Sequence, residues 1–161
     1  MSLDVTVGGT TTQSYASVAE ADAYLTFRGG TAAWFLLTTT VKEQQLQWAG
    51  VLIDTLYFTG IKCSLLQAME WPRFGIVDKN GYYPPTTSIP QPVKNAQIEM
   101  AFQLVASDWS QGIGPITAQS VKVGTIEQTG KSHKPFPAPV IAQLKQFLRS
   151  SPNTGGMLVR G

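Results

Sequence analysis

The chain is poor in the residues from which chemical sites are built. Its 161 residues include one cysteine, Cys63, and one histidine, His133. A single cysteine excludes an intramolecular disulfide and any metal site made from several cysteines. Both residues fall in segments without clear periodicity, so a catalytic pair of Cys63 and His133 is not expected. We therefore predict no metal, no cofactor and no enzymatic activity.

Charged residues are also scarce, at 14% of the chain, whereas 43% of the chain is hydrophobic. That hydrophobic fraction favours a folded core in a chain of single-domain length. A surface with few charges suits packing against neighbouring proteins, and an ordinary uncharged polar surface is the alternative. No apolar run reaches about 18 residues and the N-terminus lacks a signal-peptide pattern, so neither a membrane span nor secretion is expected.

The few charges are unevenly distributed along the chain. Residues 1–114 hold six basic and nine acidic side chains, whereas residues 115–161 hold six basic side chains against Glu127 alone. We expect this basic C-terminal part to face either DNA or an acidic partner, and a solvated lysine face is the alternative. The candidates for contact with DNA are Lys122, Lys131 and Lys134.

Apolar periodicity and capping patterns predict the helices. Ser17 to Glu20 is a capping box that opens a helix over residues 18–27. Thr40 to Glu43 is a second such pattern, which opens a helix over residues 41–58 that Gly60 ends. Pro92 suits the first turn of a helix over residues 92–109, and a last helix is predicted over residues 140–149.

Between and beyond the helices the sequence predicts one β element and two arms. Alternation around Val121 and Val123 indicates a strand or short hairpin within residues 118–128. The Asn80-Gly81 pair favours either a hairpin or a pinned loop over residues 76–83. Residues 1–13 and 150–161 are predicted as extended N- and C-terminal arms. The expected fold is mainly α, a small antiparallel helical bundle over residues 14–149.

The arms and the aromatic residues carry the candidate binding features. Apolar residues alternate with polar ones in both arms, which suits strand addition to a partner, and disorder is the alternative. The predicted partner-binding residues are Val5, Val7, Lys145, Arg149, Met157, Leu158, Val159 and Arg160. Sixteen aromatic residues invite an interpretation as stacking platforms for bases. Their helical positions and the lack of interleaved basic residues favour the core for Trp34, Trp48, Phe102, Trp109 and Phe147.

The segment from Glu70 to Arg73 is either a contact site or a structural clasp. We favour the clasp, in which Arg73 makes a bidentate pair with Asp54 at the end of the long helix. Its predicted members are Asp54, Trp71, Pro72 and Arg73.

The order of several short motifs resembles one protein family. The motifs are Ser14-Tyr15-Ala16-Ser17-Val18-Ala19-Glu20-Ala21-Asp22-Ala23-Tyr24, Leu52-Ile53-Asp54, Trp71-Pro72-Arg73, Ile89-Pro90-Gln91-Pro92-Val93-Lys94 and Val121-Lys122-Val123-Gly124. They resemble the head-tail connector (adaptor or head-completion) proteins of tailed bacteriophages. Many of those proteins carry the label "DnaT-like single-stranded-DNA-binding protein".

The resemblance implies a structural virion protein in the neck between the phage head and tail. It implies a twelve-fold ring of identical copies around the DNA channel, bound to the portal and to a tail-side neck protein. Passing double-stranded DNA is expected to be contacted weakly at most, and no membrane is involved. Before assembly the protein is expected in the host cytoplasm. The alternative is a single-stranded-DNA-binding accessory protein of phage replication or packaging.

Overall fold

The computed structural model describes residues 2–107 and 136–149, and the predicted mainly α fold is confirmed there. Five helices and one antiparallel pair of two-residue strands make up these residues. In chain order they are α1 Val18–Arg28, α2 Ala32–Phe35, α3 Thr39–Ile53, β1 Ile61–Lys62, β2 Arg73–Phe74, α4 Gln91–Ala106 and α5 Ala138–Leu144.

Helix α4 is the centre of the domain. It packs against α3 and α5 and also contacts α1 and α2. Its apolar stripe is buried as predicted, with Val105 only half-buried at the edge. The side chains of Gln97 and Glu99 are buried as well, so the helix is enclosed on more sides than an amphipathic pattern predicts. The helix ends at Ala106, before the predicted residue 109, because Ser107 has extended backbone angles.

The starts of α1 and α3 follow capping chemistry, but α3 and α5 each begin two residues before the predicted start and α4 begins one residue before it. Ser17 and Glu20 form the predicted capping box at the start of α1. Helix α3 begins at Thr39 rather than at residue 41, because the side chain of Thr38 accepts the Val41 N–H at 3.4 Å.

Besides α4, helices α3 and α5 end earlier than the sequence predicts, because the residues that follow them make tertiary contacts. Helix α3 stops at Ile53, and the side chain of its C-cap residue Asp54 binds groups outside the helix. Helix α5 stops at Leu144, and the residues after it run beside the end of α3. There the Phe147 carbonyl accepts the Thr59 N–H at 2.9 Å, and the Arg149 N–H donates to the Tyr57 carbonyl at 2.8 Å.

The sequence predicts that the N-terminal residues form an extended arm, but residues 2–13 fold back onto the domain. The Asp4 carbonyl accepts the Gln13 N–H at 2.8 Å, and the Ala68 N–H donates to the Gly9 carbonyl at 3.0 Å. Leu3 packs against the core. Several backbone donors and acceptors of this segment therefore have hydrogen-bond partners within the chain.

Several predictions fall on residues that lie outside those described. These are the β element over residues 118–128, the core position of Trp109, the DNA candidates Lys122, Lys131 and Lys134, and the tail candidates Met157, Leu158, Val159 and Arg160. They stay predictions. Within residues 2–107 and 136–149, no group of three His, Cys, Asp or Glu residues is placed to hold a metal ion. No helix among the same residues is long and apolar enough to cross a membrane.

Candidate interaction surfaces

The β1–β2 hairpin turns its apolar side chains to solvent and its charged side chains inward. Ile61 and Phe74 are cross-strand partners, so their side chains share one face, and both are exposed. Lys62 and Arg73 are the other pair, and both form ion pairs with Glu70, at 3.5 and 2.6 Å. A hairpin normally buries its apolar face. The reversed arrangement leaves an apolar pair available to a partner.

Gly60 sets the position of this hairpin. Its φ is +67°, and a side chain there would overlap the Phe74 carbonyl oxygen. Only glycine combines that conformation with so close an approach. The guanidinium of Arg73 then donates to the Thr59 and Gly60 carbonyls, at 2.8 and 2.9 Å.

The loop between the two strands holds two adjacent leucines in solvent. Leu65 is 98% exposed and Leu66 is 75% exposed. The loop is nevertheless fixed, because the buried Gln67 side chain donates to the Met69 and Pro72 carbonyls, at 2.9 and 3.0 Å. The same side chain accepts the Ser64 N–H at 3.0 Å. A rigid loop that displays leucines is preorganised for binding.

We call the exposed apolar residues of this hairpin, its loop and the residues just before it the hairpin surface. Tyr57, which precedes β1 and is largely exposed, belongs to it by its position. The hairpin surface consists of Tyr57, Ile61, Leu65, Leu66 and Phe74.

A second apolar surface lies where α1 gives way to α2. Phe27 is 95% exposed and Leu36 is 86% exposed, and Phe35 is also exposed. Thr31 joins the two helices, because its hydroxyl donates to the Leu25 carbonyl at 2.8 Å. We call Phe27, Phe35 and Leu36 the helix-end surface.

A third feature is an open groove of about 800 Å³ between the loop over residues 78–92 and α5. Its wall includes Tyr82 and Tyr83, with Lys79 and Lys145 beside them. Of the hairpin and the pinned loop that the sequence allowed over residues 76–83, the structure has the pinned loop. The Asp78 carboxylate accepts the Asn80 and Tyr82 N–H groups, at 2.8 and 2.9 Å. Tyrosines next to lysines suit stacked bases and phosphates. We call this feature the tyrosine groove.

The predicted pair of Asp54 and Arg73 does not form. The carboxylate of Asp54 accepts the Tyr15 hydroxyl and the Glu70 N–H, while Arg73 pairs with the Glu70 side chain. The Tyr15 hydroxyl in turn accepts the Glu70 and Trp71 N–H groups, at 3.1 and 3.3 Å. The N-terminal segment, the end of α3 and the Trp-Pro loop therefore meet at Asp54 and Tyr15.

The other clasp residues are placed in the core beside this junction. Trp71 and Pro72 are buried, and the Trp71 ring packs edge-on against Phe58 and Phe147 with centroids 5.4 and 5.1 Å apart. This aromatic trio joins the Trp-Pro loop to the residues after α3 and after α5. Its arrangement is that of a structural element rather than of an exposed contact site.

The buried carboxyl of Asp54 predicts a pH-dependent stability. Burial raises the pKa of Asp54 from 3.8 to about 6, against the smaller lowering effects of the Tyr15 and Glu70 hydrogen bonds. The folded protein therefore holds this proton more tightly than the unfolded chain. The resulting stability is fully present below about pH 4 and is lost as the pH rises through about 6, by at most about 3 kcal/mol.

Urea unfolding at a series of pH values, of the protein and of Asp54→Asn, measures this contribution. The free energy of unfolding of the natural protein should fall relative to that of Asp54→Asn as the pH rises from 4 to 7. Asp4 and Glu20, whose pKa values are lowered, titrate in both proteins and cancel in the difference. A difference that stays constant across this range would contradict the prediction.

The predicted partner residues that the structure describes are not gathered at one surface. Val5 is half-buried and Val7 exposed in the folded-back N-terminal segment. Lys145 lines the tyrosine groove, and Arg149 is exposed at the last described position. Trp48, expected in the core, is 44% exposed, whereas Trp34 and Phe147 are buried as predicted and Phe102 is partly buried against the core.

Sequence reasoning missed the two apolar surfaces altogether. Leu65 and Leu66 lie in a segment without periodicity, where apolar residues count neither for a helix nor for a strand. Phe27 occupies the last turn of a predicted helix, where a large apolar side chain is normally expected to be buried. The available signal was the Leu65-Leu66 pair itself, placed in a loop of polar and turn-forming neighbours.

These features define a small helical domain with large apolar side chains exposed on ordered elements. The chain belongs to the family described as "Putative DnaT-like ssDNA binding protein", whose model matches residues 1–161. We found no match among curated proteins and none among solved structures.

Proposed function

We propose that this protein is a structural subunit that joins the head of a tailed phage to its tail, as a ring of identical copies bound to the portal. The observation that carries the proposal is the exposure of large apolar side chains on fixed elements, in the hairpin and helix-end surfaces. The likeness of its motifs to those of head-tail connectors adds the particular assembly.

The exposed side chains favour protein contact on energetic grounds. Burying one large apolar side chain stabilises an interface by about 1.5–3 kcal/mol. Scattered exposed apolar residues are ordinary, but adjacent ones on a rigid loop are typical of interaction sites. Leu65 and Leu66 contribute little to the core in their present position, so a partner is the simplest reason for holding them there.

Single-stranded DNA binding is the second candidate function. The family description names it, and the tyrosine groove has the aromatic and basic side chains that it needs. The groove is only weakly positive, since Lys79 and Lys145 are offset by Asp78. Its expected contribution is therefore a weak, salt-sensitive contact rather than tight binding.

Imaging of the virion neck tests the connector proposal. The expected result is a ring of this chain between the portal and the tail, with further density for a tail-side neck protein. Absence from mature particles would overturn the proposal. Binding of a single-stranded oligonucleotide well below micromolar concentration, weakening as salt rises, would then favour the second candidate, and micromolar or weaker binding would count against it.

A further inference from the structure

The two apolar surfaces lie at opposite ends of helix α3. At its start, Leu36 stands two residues before the N-cap Thr38, and the Lys42 ammonium lies 5.2 Å from the centre of the Phe35 ring. At its end, the Asp54 carboxylate binds the Glu70 N–H at 3.1 Å, which places the hairpin there. Fifteen residues in α3 separate the two ends by about 22 Å.

We propose that the hairpin surface of one copy docks onto the helix-end surface of the next copy, head to tail. A contact between two different surfaces, here at opposite ends of α3, is heterologous; it repeats from copy to copy and closes into a ring when the rotation allows. This inference rests on the proposed ring and names the surfaces through which its subunits meet.

The size and chemistry of the two surfaces fit a second copy. A large aromatic side chain offers roughly 150–250 Å², so the two aromatic and three aliphatic residues of the hairpin surface approach the ~800 Å² per partner of a standard interface. The helix-end surface, with two aromatic residues and one leucine, offers roughly half of that area, so we expect a contact at the small, weak end of specific interfaces. Neither surface includes a charged residue. The adjoining Lys42 and Lys62 are paired with Asp22 and Glu70, so docking one surface on the other removes no unpaired ammonium from water.

The proposed contact also explains the reversed hairpin. Lys62 and Arg73 are held by Glu70 on the inner face, so Ile61 and Phe74 are left on the outer face. In a chain of subunits that outer face is covered by Phe27, Phe35 and Leu36 of a neighbour. Each copy then buries both of its apolar surfaces, except at an open end.

Two variants, each with one of the two surfaces disrupted, test the contact. Leu65→Ser/Leu66→Ser blocks the hairpin surface, and Phe27→Ser/Leu36→Ser blocks the helix-end surface. All four side chains are largely exposed, so the fold should survive, and thermal unfolding of each variant checks this. Val51→Ser, on the exposed side of α3 outside both surfaces, is the matched control.

Sedimentation of the full-length proteins over a range of concentrations gives the readout. The natural protein and Val51→Ser should associate, and each blocked variant alone should remain monomeric. An equimolar mixture of the two blocked variants should form a dimer and stop there, because it contains one intact pair of surfaces. Self-association of Phe27→Ser/Leu36→Ser alone would indicate a hairpin-to-hairpin contact and overturn the proposal.

Disulfide trapping detects the contact even where association is weak. Cys63 is exposed and lies next to Ile61 and Phe74 in the same shallow pocket. The natural protein, mixed with Cys63→Ser/Leu36→Cys and oxidised, should give mainly mixed dimers. A mixture with Cys63→Ser/Gln91→Cys, whose cysteine lies outside both surfaces, should not. Equal yields in the two mixtures would overturn the proposal.

The outcomes separate this inference from the proposed function. A ring in the virion neck combined with equal trapping yields would keep the connector and reject these surfaces. Mixed dimers combined with absence from the neck would keep the contact and reject the connector.

Discussion

Gln97→Leu should destabilise the protein by about 2–4 kcal/mol, because the Gln97 side chain makes hydrogen bonds to four buried polar groups. Its oxygen accepts the Tyr15 and Ala16 N–H groups, at 2.9 and 3.0 Å. Its nitrogen donates to the Ser14 hydroxyl at 2.9 Å and to the Leu46 carbonyl at 2.7 Å. Leucine has a similar size but meets none of these groups. The Tyr15 N–H would lose its partner at a cost of about 1–3 kcal/mol, and the Ser14 hydroxyl and the Ala16 N–H would keep only the hydrogen bonds between residues 14 and 16.

Urea or thermal unfolding measures the effect. Gln47→Leu is the control, because Gln47 is exposed on α3 and should tolerate the same substitution within about 0.5 kcal/mol. Because Gln97 joins the N-terminal segment to α3 and α4, the loss of stability in Gln97→Leu should be accompanied by faster proteolysis within residues 2–16. Equal stabilities for the two variants would show that the buried network contributes little.

Trp71→Ala should cost about 3–5 kcal/mol, the range for removing a large aromatic side chain from a core. The Trp71 ring fills the space between Phe58 and Phe147, which belong to segments on either side of α4 and α5 in the sequence. Without it, the residues after α5 lose the surface against which Phe147 packs. The expected result is a lower unfolding midpoint in urea and early loss of the contact between residues 57–59 and 147–149.

Trp48→Ala is the matched control for Trp71→Ala. The Trp48 side chain is 44% exposed, so the same substitution removes less buried surface and leaves a smaller void. We expect a loss of about 1 kcal/mol. An equal or larger loss for Trp48→Ala would mean that the aromatic trio is not the main anchor of the C-terminal described segment.

The helices could be predicted because their signals are local. The Ser17–Glu20 capping box, the proline at the start of α4 and the apolar stripe of α4 each act over a few residues, and the structure has all three. The ends of α3 and α5 were predicted too late. Their last predicted residues bond to distant segments, such as Phe147 to Thr59, and no local pattern reports a contact between residues so far apart in sequence.

The candidate site was predicted less well than the fold. The loop with Trp71 and Arg73 was singled out from the sequence, but the partner of Asp54 is Tyr15 rather than Arg73. A charge pair is the simplest expectation for an aspartate and an arginine. Arg73 pairs with Glu70 instead, which is only three residues away in the chain and whose carboxylate lies 2.6 Å from the guanidinium.

The sequence by itself determined the mainly α class of fold, the match to the DnaT-like family and the scarcity of chemical groups, since all three follow from properties of the chain. Only the tertiary structure decided which apolar residues face solvent. Exposure depends on how elements pack, and Ile61 and Phe74 face solvent because the ion pairs of Lys62 and Arg73 with Glu70 occupy the inner face of the hairpin. The surfaces on which the proposed assembly depends therefore arise from packing rather than from any pattern along the chain.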